Sequence, residues 1–190
     1  MTSVDTEETT LNNLIRAAAV LAAGAMLPLL HSTPAHADSI TITDPADATA
    51  SNADIRRVRV NHAERTVYTR IAVTDLDIDS FGPSVTIWYD ADGSRPGPEF
   101  QINVPLFEGS DWAVTRSNRW RSVGNPLHCR SDLTFLPSQE AVRVEVGRGC
   151  LGRPNNLRVS VRMTDHADSS HVVRDWVPSR RSFSPWVVKD

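Results

Sequence analysis

Ile55-Arg56-Arg57-Val58-Arg59-Val60-Asn61-His62-Ala63-Glu64-Arg65-Thr66-Val67-Tyr68-Thr69-Arg70-Ile71-Ala72-Val73 is the stretch that decides the fold class. Val58 and Val60 alternate with Arg57 and Arg59, and Val67, Ile71 and Val73 alternate with Tyr68, Arg70 and Ala72. A period of two sends apolar side chains to one face of a strand and polar ones to the other. The polar residues 61–65 between the two runs read as the turn of a hairpin.

Outward from this hairpin the same grammar repeats. Strands are expected at Ser84–Tyr89, Phe100–Pro105, Asp111–Arg116, Asn118–Val123, Leu127–Leu136, Ala141–Val146, Leu157–Thr164, Val172–Val177 and Phe183–Val188. Turn residues separate them, among them Asp92-Gly93, Pro96-Gly97-Pro98, Gly124-Asn125-Pro126 and Pro154-Asn155-Asn156. Residues 38–54 are small and polar and read as a strand stub followed by a loop. Short strands at this spacing, without a long helical period after residue 37, predict a single antiparallel β-sandwich, jelly-roll or immunoglobulin-like.

The only two cysteines provide a register argument. If residues 137–140 close a hairpin, Leu136 faces Ala141, Phe135 faces Val142 and Leu133 faces Val144. Cys129 then falls opposite Arg148, and Cys150 keeps the same parity two residues on. Both sulfurs sit on the buried face at the open end of the hairpin, where twist or a bulge near Gly147 or Gly149 would bring them together. A Cys129–Cys150 disulfide is expected.

That expectation agrees with the start of the chain. A single Arg16 precedes the apolar run Ala17–Leu30, which leads to Ala35-His36-Ala37. This order describes a helical signal peptide, residues 1–37, cleaved before Asp38. The run falls short of the roughly twenty residues a spanning helix needs, and no cysteine follows it for lipid attachment. Asp5, Glu7 and Glu8 depart from the usual basic start; translation from a later codon near Leu11 or Leu14 would remove them. The expected location is extracellular, with no membrane anchor on the mature chain, residues 38–190.

The whole chain of 190 residues carries a net charge of −3, and loss of the leader brings it to −1. Such a balance provides no electrostatic footprint for nucleic acid. Lys189 is the only lysine, and with the alanine-rich leader this bias suggests a GC-rich genome such as an actinobacterial one.

Catalytic motifs are missing: there is no His-Glu-x-x-His, no Gly-x-Ser-x-Gly and no glycine-rich phosphate loop. The protein is expected not to be an enzyme. Calcium is the one cofactor considered. Asp75, Asp77 and Asp79 would share one face of an extended strand, where like charges repel unless a cation or a strand end intervenes. Asp90 and Asp92 form a second acidic turn, whose glycine is misplaced for an EF-hand. Five tryptophans offer aromatic surface, and Trp120, flanked by Arg119 and Arg121, is the ring expected to be exposed for a ligand. Trp88 is expected to point inward and Tyr89 outward.

Residues 54–62, 95–100 and 149–154, together with Asp175-Trp176, resemble small secreted actinobacterial proteins of unknown function. Asp44-Pro45-Ala46-Asp47-Ala48, the following hairpin and Asp90-Ala91-Asp92-Gly93 are similar to the first half of family-nine carbohydrate-binding jelly-roll modules. That resemblance spans roughly residues 44–105 and implies a carbohydrate or cell-wall partner, but no sugar-binding tryptophan pair carries over. The expected function is therefore a secreted, non-catalytic binding module for extracellular glycan. A structural or interaction protein, or a secreted hydrolase with carboxylates at separate strand ends, are the alternatives.

Overall fold

The computed structural model describes residues 39–48, 51, 54–79, 81–168 and 171–190. The expected leader and Asp38 lie outside them. The described chain is a sandwich of two antiparallel sheets. One runs β1-β2-β3-β9-β8, made of Ser39–Thr43, Ile55–His62, Thr66–Val73, Ala141–Gly147 and Ser131–Leu136. The other runs β11-β10-β4-β5-β6-β7, made of His171–Val177, Asn156–Asp168, Ser84–Asp90, Phe100–Pro105, Ala113–Asn118 and Arg121–Val123. A short β12, Val187–Val188, pairs with the start of β10.

The alternation read from the sequence sets the core. In the first sheet Val58, Ile71 and Val142 lie in register across β2, β3 and β9, and Val60, Thr69 and Val144 form the next row. In the second, Val161, Ile87 and Ile102 align across β10, β4 and β5. All of these are buried and face the opposite sheet. Tyr89 joins them: its hydroxyl meets Thr69 Oγ1 at 3.3 Å across the interface. Burial pushes the phenol's pKa up, so the hydroxyl stays neutral and keeps this bond.

Tyr89 facing inward overturns the expected orientation of its neighbour. Val85 and Ile87 fix the phase of β4, so Tyr89 shares their side and Trp88 points outward with Thr86. Trp88 is nevertheless only 2% exposed, because other side chains cover that outer face.

The β8–β9 hairpin has the expected register, with Leu136↔Ala141, Phe135↔Val142 and Leu133↔Val144. Its loop is a single tight turn, Pro137–Gln139, closed by Glu140 in a left-handed conformation. Past Gly147 the chain curls through Arg148–Leu151, and this curl supplies the reach between the cysteines. Cys129 and Cys150 are disulfide-bonded, with Cα atoms 5.6 Å apart. Gly147 is needed there: its N–H donates to the Arg130 carbonyl at 2.8 Å, and a Cβ would come within 3.1 Å of that oxygen.

Several boundaries move. The strand expected over 127–136 begins only at Ser131, and β10 continues to Asp168. Of the strand expected at 183–188 only Val187–Val188 forms. Ser184 satisfies the free edge of β10 differently, its N–H donating to the Val159 carbonyl and its Oγ accepting from the Val159 N–H. Among the described residues no helix is long and apolar enough to cross a membrane.

The disulfide closes a loop between residues 21 apart. Restricting an unfolded chain by a loop of that size stabilises the fold by roughly 3 kcal/mol. Cys150→Ser is accordingly expected to lower the urea midpoint by an amount worth about 2–5 kcal/mol, with an unchanged slope. Two titratable thiols in the denatured, unreduced parent protein would contradict the bond.

Candidate functional site

The outer face of the second sheet carries the cluster of side chains that covers Trp88. On β10 the outward positions are Arg158, Ser160 and Arg162; β11 contributes Arg174 and Trp176, and β4 contributes Thr86, Trp88 and Asp90. Arg162 stands opposite both Trp176 and Thr86, and Ser160 opposite Trp88. The short Ser160 side chain leaves the space in which the indoles of Trp88 and Trp176 stack, 5.1 Å apart and 6° from parallel. The Arg162 guanidinium lies 5.0 Å from the Trp88 ring centre and 5.4 Å from that of Trp176. Trp88 Nε1 donates to Gln101 Oε1 at 3.0 Å, so the buried indole leaves no polar atom unpaired.

Beside this stack a second layer forms. Arg158 binds Asp90 through two nitrogens, at 2.7 and 2.8 Å, and lies over the rings of Phe183 and Trp186 at 4.7 and 4.6 Å. Phe183 in turn stacks on Trp120, at 4.8 Å and 21°. Each such cation–aromatic contact contributes about 0.5–2 kcal/mol, more where water is excluded.

Trp120 arrives at the cluster by an unusual route. The pairing of Asn118 with Arg121 leaves Arg119 and Trp120 as a two-residue turn, and both have positive φ, 49° and 68°. Hairpin turns of this type need a left-handed conformation at both central residues and favour Asn-Gly. For a bulky residue that conformation is strained, by about 1–3 kcal/mol. The turn swings the indole back over the sheet, edge-on to Trp88 and Trp176 at 5.5 and 6.0 Å. It passes close to Gly97, where an added Cβ would lie 3.6 Å from Trp120 Nε1. The expected strand over 118–123 thus contains this turn, and Trp120 is half-buried, with one ring face against Phe183.

Trp88, Trp120 and Trp176, with Arg162, Arg174, Arg180 and Arg181, enclose a groove of about 380 Å³. Arg162 donates to Thr86 Oγ1 at 3.3 Å, but its buried Nε has no partner. Burial, and then the neighbouring Arg174 charge, hold its pKa below the usual guanidinium value.

A second hollow, about 470 Å³, adjoins the first and shares Arg174, Trp176 and Arg180 with it. Here the carboxylates of Asp44, Asp47 and Asp175 converge, with oxygens within 4.8 Å of one another. Burial, and after it the charges of Asp175, Asp47 and Asp54, push the Asp44 carboxyl up to about 7. Burial first also raises Asp175, which accepts from the Ile55 N–H at 2.8 Å. Among the described residues this is the one set of three or more acidic groups arranged to hold a cation such as calcium, which takes oxygen ligands.

The calcium ligands expected from the sequence lie elsewhere and do not come together. β3 ends at Val73, so Asp75, Asp77 and Asp79 are exposed on the following loop, and the Asp77 carboxylate accepts from the Asp79 N–H at 3.0 Å. Asp90 is buried in its pair with Arg158. Asp92 accepts from both the N–H and hydroxyl of Ser94 and pairs with Arg95, and the Ser94 bonds hold its carboxyl below the usual range. Asp44 and Asp175 were missed as partners because 131 positions separate them in the chain. The chain matches no protein-family model and no curated protein, so its function is read from this geometry.

The raised Asp44 carboxyl has a pH consequence. The folded chain holds this proton more tightly than the unfolded one, whose pKa is 3.8. The associated stability is complete below about pH 4 and is lost as pH rises through about 7. Asp44→Asn is therefore expected to be more stable than the parent at pH 8, with the gain vanishing near pH 4. Equal gains at both pH values in urea unfolding would contradict the account.

Proposed function

We propose that the protein is a secreted, non-catalytic binding module that engages extracellular glycan at the tryptophan–arginine groove. The observation that carries this reading is Trp120: a bulky ring held at a left-handed turn position, where glycine would be relaxed, and aimed over a concavity. Strain of this kind persists where the surroundings enforce it and marks sites with a task. Trp120 and Trp176 keep partly exposed ring surface along the groove, and the apolar face of a sugar ring needs a flat apolar partner. The groove also falls in the volume range of small-ligand sites. Export, suggested by the leader, and the resemblance of residues 44–105 to family-nine carbohydrate-binding modules support the same reading.

A secreted hydrolase is the second reading, and the Asp44–Asp47–Asp175 cluster favours it. A carboxyl raised towards neutrality can act as a general acid beside an ionised partner. The two readings differ in product: a hydrolase releases reducing ends from the glycan it binds, and a binding module releases none.

Trp120→Gly separates a binding role from a packing role. It removes the ring but relaxes the turn, so the unfolding midpoint is expected to stay close to that of the parent. Glycan-array binding is expected to be lost. Retained binding, or binding by a parent protein to no glycan at all, would contradict the proposal.

A further inference from the structure

Four arginines, Arg162, Arg174, Arg180 and Arg181, converge on one concavity. Elsewhere Arg56, Arg95, Arg143 and Arg158 pair with Asp54, Asp92, Glu145 and Asp90, while Arg148 is held by backbone carbonyls and Arg116 lies over Phe100. Among the described residues, Arg162, Arg174, Arg180 and Arg181 make no ion pair within 4.0 Å. The acids of the adjoining hollow form no ion pair with them, although Arg174 and Arg180 line both spaces.

Gathering like charges around a concavity is unfavourable unless an opposite charge enters it. The Arg162 guanidinium is held over the rings of Trp88 and Trp176 and by Thr86 Oγ1 and not by a carboxylate. Guanidinium groups match carboxylate and phosphate oxygens in paired, planar geometry. The tryptophans that wall the same groove supply apolar surface for the ring that carries the anion.

Resting on the glycan-binding reading, we infer that the groove takes a glycan whose sugar or polyol units carry carboxylate or phosphate groups, held by Arg162, Arg174, Arg180 and Arg181. A nucleic acid shares the anionic groups, but the charge of −1 expected after loss of the leader provides no extended electrostatic footprint for it.

The test is calorimetric titration of the protein with four probes: an oligogalacturonate, its full methyl ester, a glycerol-phosphate oligomer and a single-stranded oligodeoxynucleotide. The expected result is saturable binding of an acidic oligomer and none of the ester. The oligogalacturonate responding alone identifies carboxylate as the anion, and the glycerol-phosphate oligomer alone identifies phosphate. Arg174→Gln combined with Arg180→Gln, both exposed positions, is expected to weaken that binding at least about tenfold, the effect of losing a charge-assisted hydrogen bond.

The control is Arg59→Gln combined with Arg70→Gln. These arginines lie in register with Arg143 on the other sheet, and their loss is expected to leave binding unchanged. If the control pair weakens binding and the groove pair does not, the anion sits elsewhere and the inference is overturned. Tighter binding of the oligonucleotide than of either acidic oligomer also overturns it, as does failure of both acidic oligomers to bind. Ester binding as tight as acid binding removes the anion while leaving the glycan-binding reading intact. Failure of every glycan, on the array as in the calorimeter, removes both.

Discussion

The stack of Trp88, Arg162 and Trp176 on the outer face of the second sheet is the interaction on which the rest of the site depends. A sheet in a two-layer sandwich ordinarily buries one face and wets the other. Here the wet face is partly dry, because two indoles lie parallel with a guanidinium against both. The stack covers β4 and β10 at the centre of the sheet and provides the floor on which Trp120 rests. Without it, Trp120 would have no surface to fold back upon, and the strained turn at Arg119-Trp120 would have nothing to compensate it. The groove is thus a consequence of how the outer face was covered.

The same arrangement divides the arginines into two kinds. Arg158 is structural: it is tied to Asp90 and spread over Phe183 and Trp186, which anchors the irregular segment before β12. Arg162 is held by rings and by one hydroxyl, and burial first, then the neighbouring Arg174, disfavours its charge. A cation retained against rings needs no carboxylate to stay in place, so the position opposite it remains open for an incoming one. The adjacent acidic hollow shows the reverse imbalance. Asp44 is kept partly protonated by burial and by its neighbours, and Arg56 only partly offsets them.

How much of this was readable in the sequence follows from the range of each interaction. Period-two alternation is local, so the class of fold, the first hairpin and the β8–β9 register could be read from residues close in the chain. The disulfide followed from that register. Trp88 was expected inward because most tryptophans are core, against the polarity of Ser84 and Thr86 on its own side; Val85 and Ile87 in the same strand set the phase for Tyr89. The turn at Trp120 was invisible, since Arg-Trp carries none of the Asn-Gly signal such turns use. Its polar neighbours suggested exposure; the aromatic partners that half-bury it, Phe183 and Trp176, come from distant segments. The acidic hollow likewise joins the loop after β1 to β11. Local acidic spacing pointed instead to Asp75, Asp77 and Asp79, which the end of β3 at Val73 places on an exposed loop and not on one strand face.

The central claim is that the tryptophan–arginine groove is the surface the protein uses. The most direct measurement is a set of ¹H–¹⁵N correlation spectra recorded while an acidic oligosaccharide is titrated in. The account predicts that the indole signals of Trp120 and Trp176 and the Nε signal of Arg162 shift together along one saturation curve. The indole of Trp112, outside the groove, should stay in place. Shifts confined to Arg59, Arg70 and Arg143 on the opposite sheet, with the groove signals unmoved, would contradict it.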